Sequence, residues 1–164
     1  MKTNLYIDYK KPSRSMNWHM VTGFNHSGFV VKDIDKMVAF YRDDLGLRVE
    51  REVDSKAPPG GNHTGIPGSH RTLVFVGTQG EHSLELVHYI NPTSPEGHLE
   101  RNQLGSTHIC FNVSDLESLH KKLVSKGIKF VTDPIFTDND DGTRNGICYC
   151  QDPEGNWIEL IQPS

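Results

Sequence analysis

The feature that most constrains this 164-residue chain is an internal duplication. His26 recurs as His108 after 82 positions, Asp33 as Asp115 after the same interval, Gly46 as Gly127 after 81, and Glu85 as Glu159 after 74. The shorter last interval is explained largely by a Gly- and Pro-rich stretch, Ser55–His70, carried by the first copy alone. Neither copy is long enough to bury a core by itself, so the two must pack as one unit. The chain therefore divides into an N-terminal tail or arm over 1–22 and a single domain over 23–163. Module one is 23–90, the connector is 91–105, and module two is 106–163.

Within each copy the hydrophobic period changes in the same order. "FNHSGFVV" reads as a strand, and Asp33 caps a helix over Ile34–Asp44, with Ile34, Met37, Val38 and Tyr41 at helical spacing and Leu45-Gly46 as the stop. Strands follow at Arg48–Asp54, Arg71–Gly77 and Ser83–Tyr89, the first two separated by the Ser55–His70 loop. A loop of that length in a compact domain tends to be functional, so it is expected to border a site. After the connector the spacing predicts a strand over Ser106–Val113, then Asp115 as cap, a helix over Leu116–Lys126 and Gly127 as stop. Strands over Ile128–Thr132, Ile147–Gln151 and Trp157–Gln162 complete the copy. Each module thus reads βαβββ.

The last strand, "WIELIQ", sets Glu159 in an apolar run beside Trp157 and Ile161, and "SLELVHY" does the same with Glu85. An acid in such a setting needs a partner or a task. Strand alternation puts His26 on one face with Phe24, Gly28 and Val30, and His108 on one face with Cys110 and Asn112. If the two sheets curve round a common cavity, His26, Glu85, His108 and Glu159 can converge. Two imidazoles and two carboxylates suit one divalent ion such as Ni, Co, Zn, Mn or Fe better than a thiolate-type site would. The expected architecture is α+β: two βαβββ modules pairing into a curved mixed β-sheet around a metal-bearing cavity, with the helices outside.

Composition excludes several classes of function. Lys plus Arg is 17 against 21 Asp plus Glu, a formal charge of -4 with no basic cluster, so nucleic acid is not an expected partner. No apolar run exceeds strand length and residues 1–20 lack the core of a signal peptide, so no membrane partner and a cytoplasmic location are expected. Cys110, Cys148 and Cys150 are read as reduced core thiols rather than a disulfide framework. Glu50, Arg51, Glu52 and Arg144 are candidates for binding an anionic substrate, and His63, His70 and Arg71 for bordering the pocket from the long loop.

The stretches "NHSGFVVKDIDKMVAFYRDDLGL" with "LELV", and "THICFNVSDLESLHKKLVSKGI" with "DPEGNWIELIQP", resemble the vicinal oxygen chelate superfamily. That superfamily includes glyoxalase I, methylmalonyl-CoA epimerase, extradiol dioxygenases and the bleomycin and fosfomycin resistance proteins. The resemblance covers Gly23–Pro163 and carries the family's four metal positions onto His26, Glu85, His108 and Glu159. This His/Glu/His/Glu set is similar to that of bacterial glyoxalase I. The epimerase commonly has Gln where this chain has Glu85, the dioxygenases use two His and one Glu, and resistance-type binders usually lack the ligands.

The resemblance implies a metal-dependent lyase or isomerase that transfers a proton next to a carbonyl through a metal-stabilised enediolate or enolate. Glu159 would be the catalytic base and Glu85 its symmetry-related second candidate. The implied partners are a small-molecule carbonyl substrate, in the form of a thiol or CoA conjugate, and a second copy of the chain in a homodimer. An epimerase-type racemase, an extradiol dioxygenase and a non-enzymatic binding or resistance protein are the alternatives.

Overall fold

In the computed structural model, residues 20–80 and 82–164 are described, and most of the expected tail, 1–19, lies outside them. The duplication is visible in the order of elements. Module one runs β1 (His26–Val31), α1 (Ile34–Ala39), a π-helical turn (Phe40–Asp44), β2 (Arg48–Lys56), β3 (His70–Gly77) and β4 (Ser83–Asn91). Module two runs β5 (His108–Asn112), α2 (Leu116–Ser125), β6 (Ile135–Asp138), β7 (Arg144–Gln151) and β8 (Trp157–Gln162). Each forms its own four-stranded mixed sheet, in the orders β1-β4-β3-β2 and β5-β8-β7-β6. In both sheets the first strand lies parallel to the last and the other pairs are antiparallel. The architecture is the expected α+β pair of βαβββ modules, with two open sheets.

The helix signals act as anticipated. Asp33 accepts from the Lys36 N–H at 3.0 Å and Asp115 from the Ser118 N–H at 2.9 Å, satisfying donors that a helix start leaves free. Gly46 and Gly127 take φ +80° and +82° just past the helical segments, where a β-carbon would be strained. The first helix departs from a plain α-helix, because its last turn widens to the π form. That wider turn lets the adjacent residues Phe40 and Tyr41 both point inward, 3% and 0% exposed, with their rings edge to face at 5.1 Å.

The second strand of module two lies elsewhere than the spacing predicts. Ile128–Thr132 contributes a single bridge, Phe130 to Cys150, flanked by bonds from Val131 N–H to Tyr149 O and from Gln151 N–H to Lys129 O. The longer ladder on β7 is made by Ile135–Asp138, inside what reads as a loop. Close packing fixes that ladder: a β-carbon on Gly146 would come within 2.7 Å of the Phe136 ring and 2.9 Å of Leu116. Cys148 and Cys150 are core thiols as expected, whereas Cys110 is exposed on the other face of its sheet.

One core cluster spans both modules, with Val31, Met37, Tyr41 and Leu86 from the first and Leu116, Leu123, Ile158 and Leu160 from the second. Burying each such side chain contributes about 1.5–3 kcal/mol. Polar contacts then set the modules' registration. Tyr41 donates its hydroxyl to Asp152 Oδ2 at 2.9 Å, deep in the core. Asp152 also accepts from the Glu154 and Asn156 N–H groups and from Asn156 Nδ2, so the turn after β7 is folded around its carboxylate. From the same turn, the Glu154 carboxylate accepts from the Lys32 and Asp33 N–H groups, both at 2.7 Å. Lys122 donates to the Asp43 and Asp44 carbonyls, and Lys126 pairs with Asp44. Among the described residues no helix is long and apolar enough to cross a membrane.

Burial raises the pKa of Asp152, against the opposing pull of its hydrogen bonds, and burial followed by the Asp152 charge raises that of Tyr41. Removing Asp152 would strand four donors, whereas removing the Tyr41 hydroxyl leaves the carboxylate three. Urea denaturation is expected to show Asp152→Ala destabilised by about 2–4 kcal/mol and Tyr41→Phe by about 1 kcal/mol. Equal losses would mean that the turn does not depend on its aspartate.

Candidate active site

The parallel pairing of first and last strands brings each module's histidine to its glutamate. In module one, Gly28, Glu85, Phe75 and Arg51 form a row across β1, β4, β3 and β2. His26, two residues before Gly28, reaches Glu85 from the same face, with Nε2 3.4 Å from Oε2. Its ring packs edge-on to Phe75 at 5.6 Å, and the Arg51 guanidinium covers that phenyl at 4.0 Å. In module two the corresponding row is Cys110, Glu159 and Tyr149. His108 Nε2 lies 3.1 Å from Glu159 Oε2, its ring is edge-on to Tyr149 at 5.4 Å, and the Arg101 guanidinium sits 5.2 Å from the tyrosine ring. The two halves thus repeat one composition: histidine, glutamate, aromatic ring, arginine.

The acids are more covered than their partners. Glu85 and Glu159 side chains are 17% and 14% exposed, against 39% and 47% for His26 and His108. The donor chemistry fits a cation in each half. The Asn25 amide oxygen stands 2.6 Å from His26 Nδ1 and can only accept, so Nδ1 is the donor there and Nε2 is the ring nitrogen turned toward Glu85. An imidazole nitrogen and a carboxylate 3.4 Å apart are donor types that can share a metal ion. The Tyr149 hydroxyl, 3.5 Å from His108 Nε2, can donate to the Glu159 carboxylate in the second half.

The four expected metal positions are brought together two by two. His26 meets Glu85 on one sheet and His108 meets Glu159 on the other. Among the described residues no three or more His, Cys, Asp or Glu side chains form a group that could hold an ion. Of the other charged candidates, Arg51 reaches the first half-site. Glu50 instead accepts from the Gln79 N–H and Ser83 hydroxyl at the β2 bulge, and Arg144 pairs with Asp138 over Phe136. No contact of Glu52 with a half-site is found among the described residues. The long loop does not deliver its histidines to the half-sites among the described residues: His63 is exposed, His70 pairs with Asp54, and Arg71 lies buried against Ser55 and Tyr89.

Two contributors escaped the sequence reading. Tyr149 looks like one more apolar strand residue between two cysteines, yet the alternation that buries Cys148 and Cys150 puts it on the face of Glu159. Arg101 belongs to the connector, where no periodicity flags it. It is held over Tyr149 and, at 5.3 Å, over Trp157, whose indole N–H donates to the Leu99 carbonyl at 2.8 Å.

Comparison with known proteins adds four observations. The model of the Glyoxalase/Bleomycin resistance protein/Dioxygenase superfamily matches residues 23–160. A lactoylglutathione lyase from Pseudomonas aeruginosa is 29% identical, over 86% of this chain and 82% of its own length. The mitochondrial methylmalonyl-CoA epimerase of the mouse is 31% identical, over 66% of this chain and 56% of its own length. Among solved structures, a glyoxalase family protein from Bacillus cereus shares the fold with a TM-score of 0.79 at 22% identity, covering 90% of this chain and 97% of that one.

The half-sites differ where Gly28 is replaced by Cys110. A β-carbon on Gly28 would meet Glu85 Oε2 at an ordinary 3.6 Å, whereas the Cys110 thiol packs against Glu159 although the residue as a whole is exposed. Burial and then the Glu159 charge push the thiol up to about 11. Its thiolate fraction at neutral pH is therefore small, and iodoacetamide is expected to alkylate Cys110 roughly 100-fold more slowly than an unperturbed thiol. Glu159→Gln should speed the reaction several-fold, and a rate equal to that of free cysteine would show that the thiol does not feel the carboxylate.

Proposed function

The chain belongs to the Glyoxalase/Bleomycin resistance protein/Dioxygenase superfamily, and on that premise we propose that it is a divalent-metal-dependent lyase or isomerase of the glyoxalase I type. It would shift a proton next to the carbonyl of a thiol-conjugated substrate. The observation that carries this reading is the repeated His–Glu pair, Nε2 to carboxylate at 3.4 Å and 3.1 Å, on two open sheets. Each chain brings two half-sites whose donors fit a metal ion. On this reading His26 and Glu85 of one chain stand opposite His108 and Glu159 of a second in a homodimer. The position of β1 and β5 at the edges of their sheets among the described residues supports it, since edge strands are where another chain can be received.

A bound divalent ion, whether Ni, Co, Zn, Mn or Fe, would supply Lewis acidity to the substrate's adjacent oxygens. The protein's own groups supply the rest. Glu159 accepts the proton at a carboxylate oxygen, and the Tyr149 hydroxyl, by donating to that carboxylate, holds it in place. In the paired dimer Glu85 would do the same from the opposite face of the substrate, so that one acid takes the proton and the other returns it. Phe75 and Tyr149 set aromatic rings edge-on to the two histidines, and Trp157 lines the pocket beside His108. The second reading, an epimerase-type racemase, is favoured by the similarity to the mouse epimerase and needs the same groups.

Metal analysis after loading is expected to give one divalent ion per chain, held as two per dimer. Loading should fall at least tenfold in Glu159→Gln and in His108→Ala. Solvent deuterium should enter the product from a hemithioacetal if the chain is of the glyoxalase type, and a methylmalonyl thioester if it is of the epimerase type. Metal-free protein that cannot be loaded would overturn the reading, as would oxygen consumption with catechols.

A further inference from the structure

Three polar or charged residues are buried among the described ones: Ser69, Arg71 and Asp152, with 1%, 7% and 4% of their surface exposed. Asp152 is met by four donors. The other two are not met in full. Ser69 Oγ and Arg71 Nε are the buried side-chain polar atoms that find no hydrogen-bond partner among the described residues. A guanidinium cannot shed its proton to escape burial, so it calls for a negative partner. Among the described residues no acid comes within 4.0 Å of it. Asp54, next to Ser55 on β2 and so on the opposite face, is taken by His70 and Lys56.

The two orphaned groups belong to one place. The Ala57 N–H donates to the Ser69 carbonyl at 2.7 Å, which carries the β2–β3 ladder one step past its last pair, Lys56 with His70. Ser69 and Arg71, two apart on that extended edge, therefore face the same side. Arg71 donates from Nη2 to the hydroxyl of Ser55, its partner on β2, at 3.0 Å, and lies over the ring of Tyr89, its partner on β4, at 5.7 Å. The loop that joins β2 to β3 at this end is fixed by its own bonds, from the Gly61 and Gly68 N–H groups to Pro58 O and from Asn91 Nδ2 to Gly68 O. Phe75, which packs on His26, is four residues farther along β3 on the same face, about 13 Å away. The place is thus separate from the first half-site.

We propose that Arg71, Ser69 and Ser55 form a binding site for a small free oxyanion at the root of the loop between β2 and β3. The Arg71 Nε–H is one arm of the fork that meets the oxygens of a carboxylate or phosphate, and the Ser69 hydroxyl donates to a further oxygen. Burial restricts the ligand to a small one and strengthens each charge-assisted bond. Two ions share this chemistry: inorganic phosphate and a short carboxylate such as acetate. The bound charge offsets the guanidinium and ties both strands to the loop that joins them. Its effect falls on the folded state, not on proton transfer at Glu85 or Glu159, so the site stands independently of the lyase or isomerase reading.

Metal-free, full-length protein at constant chloride is titrated calorimetrically with phosphate and with acetate. One saturable site per chain is expected for at least one of them, and the anion that responds identifies the source. Ser69→Ala should raise its Kd about fivefold, and Arg71→Met should abolish the binding heat. No saturable heat with either anion, heat that survives Arg71→Met, or a Kd unchanged in Ser69→Ala overturns the proposal. Thermal melts add a readout that an arginine already satisfied by the fold would not give. Without phosphate or acetate, Arg71→Met should melt no lower than the parent, because it removes a buried unpaired charge and keeps an apolar stem. With the responding anion at about 100 times its Kd, the parent should gain about 5 °C or more, and the variant only the general salt effect. A variant that melts several degrees below the parent at every anion concentration would show the guanidinium to be satisfied within the fold, and would overturn the proposal.

Discussion

The arrangement of this protein depends on a buried carboxylate. Asp152 sits in the turn between β7 and β8, 4% exposed, and takes hydrogen bonds from its own turn and from Tyr41 of the other module. Burying an acid costs several kcal/mol unless its oxygens are met, and here four donors meet them. The same turn fixes the start of β8, and with it Glu159, while its Glu154 holds the backbone where β1 passes into α1. One five-residue turn therefore sets the register of the second half-site and the seating of the first module.

The duplication is sharper in chemistry than in geometry. Histidine, glutamate, an aromatic ring and an arginine recur in both halves, but the arginine comes from β2 in one and from the connector in the other. Phe75 becomes Tyr149 and Gly28 becomes Cys110, so the second half gains a hydroxyl and a thiol around its carboxylate. Two copies that began alike now offer unlike surroundings to the same pair of ligands. Under the proposed reading, such a difference suits chemistry in which one acid removes a proton and the other returns it.

The sequence carried the duplication, both helix caps and both His–Glu pairs, because each depends on local spacing. Asp33 and Asp115 act on donors three residues ahead, and the His and Glu of each copy recur at matched positions on its first and last strands. The edge strand of module two was misplaced because Ile128–Thr132 and Ile135–Asp138 are equally strand-like, and only packing against Gly146 and Leu116 selects between them. Arg101 was invisible for a related reason. Its position follows from the Trp157 bond to Leu99, a contact between residues 58 apart, and no local pattern encodes it.

The division of the two His–Glu pairs between separate sheets has a genetic consequence under the proposed pairing. A pocket built from the first half of one chain and the second half of another is indifferent to damage in the halves it does not use. A chain broken at His26 and a chain broken at Glu159 would each be inert alone. Mixed in one cell, they would assemble dimers in which one pocket collects both lesions and the other collects none.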